Sequence, residues 1–140
     1  MTGTGGSGGN QNRGVYNNGI VSSLGSGDVT VTGTGGSGAN NDAIFMDRGF
    51  ITAPGVLTLT SNGGAINQTG GTITVDGATT LKASVIDTDI SLAGGLLNNF
   101  AGTVTIDNTA GAAVNVRDFM LRNVNAAAGD ITNLSNEVRT

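Results

Sequence analysis

The residues able to do chemistry in this sequence are few and thinly spread. Gly3-Thr4-Gly5-Gly6-Ser7-Gly8 and Gly33-Thr34-Gly35-Gly36-Ser37-Gly38 both satisfy the G-x-G-x-x-G spacing that cradles a pyrophosphate. Such a cradle needs a helix N-terminus behind the loop, because its unpaired N–H groups hold the phosphate. Asn10-Gln11-Asn12 and Asn40-Asn41-Asp42 follow instead, without a helical pattern, so no cofactor site is expected. The second copy also partly matches a glycine-rich calcium nonapeptide, in which Asp supplies hard oxygen ligands. Asn40 stands where that pattern needs Asp, Asp42 stands at its apolar position, and the first copy holds no carboxylate. No metal site is expected; Asp42 and Asp47 are the two residues to test for calcium, against a reading as solvated turn carboxylates.

Asp87 and Asp89 lie two apart and would share one face of a strand, as the carboxylates of a polysaccharide-cleaving β-helix do. The chain has no His, Lys82 is its only Lys, and no Arg lies within a few residues of the pair to tune it. No catalytic set emerges, and the chain is expected not to be an enzyme. Tyr16, Phe45 and Phe50 lie near Asn-rich loops; as an exposed strip they would bind carbohydrate, and as core residues they would only pack. Thr-x-Thr recurs at Thr2 and Thr4, Thr30 to Thr34, Thr58 and Thr60, Thr72 and Thr74, and Thr103 and Thr105. Such ladders can order water into an ice-like lattice, although Thr is also the ordinary outward residue of a strand.

The elements that must position these residues are short strands. The chain holds 25 Gly, 16 Asn and 40 Thr, Val and Ile, but one Lys and one Glu, so the residues that usually build helix surfaces are missing. That mixture forms β-branched tracts separated by turns that need positive φ. There is no cysteine, so ladders and stacking must supply the stability. A net charge of −4 and five scattered Arg give no basic patch for nucleic acid. No apolar run is long enough to span a membrane. Met1 leads into Thr-Gly-Thr-Gly-Gly, without the basic stretch and apolar run of a signal peptide, and is read as an expression start on a fragment.

Repetition sets the architecture. TGTGGSG occurs at 2–8 and again at 32–38, a repeat of roughly 30 residues. Each copy leads through an Asn-rich turn into a matched tract, 14–21 and 43–51, in which Tyr16 corresponds to Phe45, and closes on an alternating strand at 28–32 and 56–60. Beyond residue 61 the copies degenerate, but alternating tracts recur at closer intervals, at 72–77, 89–94 and 103–108. Shorter candidates at 64–67, 79–83 and 113–116 would form the second wall of each coil, with weaker segments at 119–124 and 130–134. One turn therefore takes either about 15 to 20 residues or the full 30.

One such unit cannot bury its inward face alone, whereas stacked coils share a continuous apolar column. The pattern predicts an all-β, right-handed parallel β-helix (β-solenoid) over 1–140, with two long GTGGSG-type repeats in 1–60 and degenerate repeats in 61–140. An antiparallel sandwich also suits short strands with turn signals, but tandem self-similarity favours the solenoid. Pro54 and the run 118–123 hint at irregular or helical excursions. Asn17, Asn18, Asn98, Asn99, Asn108 and Asn123 are expected at left-handed turn positions or in internal amide ladders.

Residues 57–83 (LTLTSNGGAINQTGGTITVDGATTLKA) together with 89–92 (DISL) resemble the repeats of filamentous haemagglutinin-like proteins. The resemblance covers roughly residues 56–110 and implies a right-handed parallel β-helix, exported by two-partner secretion or a similar route, forming a shaft that displays adhesive or toxic tips. The GTGGSG units look more like generic β-strand-repeat surface proteins. The expected function is a structural stalk or filament segment of a large secreted bacterial surface protein, extracellular and self-associating head to tail through open strand edges. The alternative is an adhesin module that binds a glycan or another surface.

Overall fold

Tracts in which Val, Ile and Leu alternate with Thr, Asn and Asp extend readily, because β-branched residues favour a pleated, half-buried surface. The computed structural model describes residues 1–37, 40–107, 116–127 and 129–132, and folds those tracts into fifteen short strands with no helix among the described residues. Each coil contributes one strand to each of three walls, here sheets A, B and C. Coil 1 holds β1 (Thr2–Thr4), β2 (Val15–Asn17) and β3 (Ile20–Ser22), and coil 2 holds β4 (Val29–Thr34), β5 (Ile44–Met46) and β6 (Phe50–Ala53). Coil 3 holds β7 (Leu57–Ser61), β8 (Ile66–Gln68) and β9 (Thr72–Val75), and coil 4 holds β10 (Thr79–Ala83), β11 (Thr88–Leu92) and β12 (Asn99–Phe100). β13 (Val104–Asp107) and β14 (Val116–Leu121) continue a fifth coil, and β15 (Ile131–Thr132) adds a further rung. Sheet A runs β1-β4-β7-β10-β13-β15, sheet B β2-β5-β8-β11-β14 and sheet C β3-β6-β9-β12, every pairing parallel. This is the parallel β-helix expected from the sequence.

The coil length differs from the shorter expectation. In sheet A, Thr2 pairs with Thr32, Val29 with Leu57, Leu57 with Thr79, Thr79 with Val104, and Val104 with Ile131. The coil is longest in the first of these steps and shortest in the third. The shorter expectation fails because a coil has three walls. The alternating tracts near 72, 89 and 103 are accordingly not equivalent: they are β9 in sheet C, β11 in sheet B and β13 in sheet A. The run 118–123 is no helix; 118–121 are the last four residues of β14. Pro54 sits in the turn between β6 and β7. The strand expected at 113–116 lies outside the described residues except for Val116, as does the end of 130–134.

Inward side chains line up from coil to coil. Val31, Leu59, Leu81 and Ile106 form one column under sheet A, and Val15, Ile44, Ile66, Ile90 and Phe119 form another under sheet B. Ala53, Val75 and Phe100 line sheet C, and all of these residues are buried. Each Val, Leu or Ile so buried stabilises the fold by roughly 1.5–3 kcal/mol relative to exposure.

Side-chain amides fill the corner between sheets B and C. Buried Gln68 and Asn98 exchange hydrogen bonds of 3.0 and 2.7 Å, and Asn98 also accepts from Ile73 N–H and donates to the Leu92 carbonyl. Asn123 repeats the arrangement on the backbone of Phe100, and Asn17 donates to the Phe50 carbonyl. Asn17, Asn18, Asn98, Asn99 and Asn123 all lack positive φ; the left-handed non-glycine positions are instead Gln11, Asn40 and Asp87. Asn108 lies outside the described residues.

The glycine repeat has a backbone cause. Gly3 and Gly33 are register partners at the inner end of sheet A, and a Cβ on them would collide with the carbonyl oxygens of Gly14 and Ala43. The link from sheet A to sheet B takes residues 5–14 in coil 1 and 35–43 in coil 2, but only 62–65 and 84–87 in the next two coils. Ser61 and Ala83 replace glycine in those coils, and the Ser61 hydroxyl donates to the Gly64 carbonyl at 2.6 Å to hold the shorter corner. Loss of the long link shortens the coil and ends the obvious repeat.

Candidate functional site

Outward positions of sheet B form one row along the solenoid, Tyr16, Phe45, Asn67, Ser91 and Met120, one per coil. Alternation requires this: each neighbours a buried residue of the same strand, so its own side chain faces out. Tyr16 is 49% exposed and stacks on Phe45 at a centroid distance of 5.8 Å. The Arg13 guanidinium lies 3.5 Å from the Phe45 centroid and 5.4 Å from that of Tyr16. Tyr16 therefore stands outside the core. Phe50 pairs with Ile20 and Thr72 on sheet C, so the three-aromatic strip read from the sequence reduces to Tyr16 and Phe45.

A cleft of about 520 Å³ continues the row, walled by Asp42, Asn67, Asp89, Ser91, Asp118 and Met120 over a floor that includes Ile66 and Ile90. Arg13 Nε stands 3.6 Å from Asp42 Oδ2, close enough for charge attraction but beyond hydrogen-bond reach, and Nε is buried with no partner. Burial raises the pKa of Asp42 above 3.8, against the opposing pull of the Arg13 guanidinium and the Asn67 amide. At the other end Arg117 bridges Asp89 and Asp118, and the two carboxylates raise its pKa.

The residues singled out in the sequence are sorted by this geometry. Asp42 pairs with Arg13, whereas Asp47 accepts from the Tyr16 hydroxyl at 3.3 Å and lies 3.6 Å from Arg48. Among the described residues no group of three or more His, Cys, Asp or Glu is placed to hold a metal ion. Asp87 occupies a left-handed turn position outside β11, so it does not share a strand face with Asp89. The absence of a nearby Arg in sequence is overturned in space, since Arg117 reaches Asp89 across paired β11 and β14. Thr30, Thr58, Thr80 and Thr105 form one row on sheet A; the next row, Thr2, Thr32 and Thr60, ends in the Lys82–Asp107 ion pair of 3.1 Å. Thr72 and Thr74 face out from sheet C instead.

Sequence reading missed Arg13, Asn67, Ser91, Arg117, Asp118 and Met120 as neighbours. Only the coil offset could have found them, and that offset shortens between the Tyr16–Phe45 step and the Phe45–Asn67 step.

The family model described as "Repeats of unknown function (DUF5649)" matches residues 38–107, half of the chain. The chain belongs to this repeat family. The matched residues of this DUF5649 protein run from the second sheet A to sheet B link through β13, which includes the middle of the sheet B row. No curated protein and no solved structure matches the chain.

Proposed function

We propose that this chain is a spacer segment of a large secreted bacterial surface protein, a rod that extends and presents other parts. The observation that carries the reading is the continuous three-walled stack, in which each coil pairs in parallel with the next and shares its apolar columns. Each coil advances the rod by about 4.7–4.9 Å, so length grows with repeat number while the cross-section stays constant. The likeness of residues 57–83 to filamentous haemagglutinin-like repeats supports placing such a rod outside the cell. End-to-end self-association belongs to the same reading, because parallel strand edges template further pairing.

Immunogold labelling with antibody raised against the chain tests the location: label on the surface of intact source cells is expected, and label confined to the cytoplasm overturns it. Electron microscopy of the purified chain over a concentration range tests the assembly. Filaments one solenoid wide are expected at high concentration, and discrete particles throughout would remove self-association from the reading.

A further inference from the structure

We propose that the outward face of sheet B is a binding groove for a neutral glycan laid along the solenoid axis. The row from Tyr16 to Met120 crosses four coil intervals, about 19 Å at 4.7–4.9 Å each. Along that length the face alternates in character, with the Tyr16–Phe45 stack, then the amide of Asn67 and hydroxyl of Ser91, then the 53% exposed thioether of Met120. A sugar ring needs this alternation: its C–H face packs on apolar or aromatic groups while its hydroxyls need both donors and acceptors.

The polar groups of the cleft favour hydroxyls over charges. Asp42 on the cleft wall only accepts when ionised, and its charge is offset by Arg13, whose buried Nε lies 3.6 Å away. A ligand hydroxyl donates to that carboxylate, which a carboxylate ligand cannot do. Asn67 and Ser91 each offer both roles. The cleft and its rim hold three carboxylates, Asp42, Asp89 and Asp118, against Arg13 and Arg117, and Arg117 is already bridged by two of them. With a chain charge of −4, the surface repels uronate and sulfate groups. The volume of about 520 Å³ accommodates a short run of rings, with the aromatic shelf extending the contact. A rod that binds no sugar remains a spacer, so the two readings fail separately.

Calorimetric titration and saturation-transfer NMR of the whole 140-residue chain would use cellohexaose, xylohexaose and maltohexaose as neutral probes, with oligogalacturonate and heparin hexasaccharide as anionic ones. Saturable binding of at least one neutral probe and none of the anionic ones is expected. Asn67→Ala and Tyr16→Ala should each weaken binding about tenfold, the effect of one lost hydrogen bond or stacking contact. Thr58→Ala on sheet A should leave it unchanged. Circular dichroism checks each variant, and Tyr16, half exposed in the short β2, gives a readout if Asn67→Ala fails to fold. Absence of binding to every neutral probe, preference for an anionic one, or equal loss in Thr58→Ala would each overturn the proposal.

Discussion

Thr79 stands between Leu57 and Val104 in an apolar column, fully buried, and its hydroxyl has no hydrogen-bond partner. A buried hydroxyl left unpaired costs about 1–3 kcal/mol, and valine offers nearly the same shape without it. Thr79→Val should therefore raise the unfolding free energy by about 1 kcal/mol, read as a higher urea midpoint at unchanged slope. Asn98 is the opposite case, a buried polar side chain held by Gln68, Ile73 and Leu92. The two residues look alike in the sequence, as small polar residues beside alternating tracts. Burial and partners separate them, and neither is visible before the coils are stacked.

At the scale of elements, the link from sheet A to sheet B decides which glycines are replaceable. A Cβ on Gly33 meets the Ala43 carbonyl, a backbone atom that cannot rotate away, whereas a Cβ on Gly19 meets nothing within 4 Å. Neither residue takes a left-handed φ, so space alone distinguishes them. Gly33→Ala should destabilise by about 2 kcal/mol, in the range for overpacking, while Gly19→Ala should be neutral or stabilise slightly through the unfolded chain. Thermal unfolding of the two variants side by side measures the difference. The glycine repeat and its period are plain in the sequence, but the reason for glycine lies in a strand and the end of the following link of one coil approaching backbone to backbone.

For the whole molecule, the described strands pair from one coil to the next along the stack, so stability is approximately a sum of coil and interface contributions. Leu59 occupies the central rung, between Val31 and Leu81, and is 1% exposed. Leu59→Ala should cost about 3 kcal/mol, and amide exchange should quicken in β4, β7 and β10 together, because the lost side chain serves both interfaces. Faster exchange restricted to β7 would mean that the coils open singly.

The alternation of β-branched and polar residues, the abundance of turn formers and the tandem TGTGGSG copies were enough to determine that the chain is an all-β solenoid with Val, Ile and Leu inside. They determined the Tyr16–Phe45 correspondence as well, since matched flanking tracts fix the register of the first two coils. Past residue 61 that guide is lost, because a shorter corner removes residues from the coil while leaving every strand able to pair. Period 2 says which face of a strand is buried but not which of three walls the strand occupies. Tertiary structure alone therefore decided that the tracts near 72, 89 and 103 lie in different sheets, and that Arg117 meets Asp89. It also aligned Tyr16, Phe45, Asn67, Ser91 and Met120 in one row, since only parallel pairing across whole coils makes neighbours of side chains that far apart in the chain.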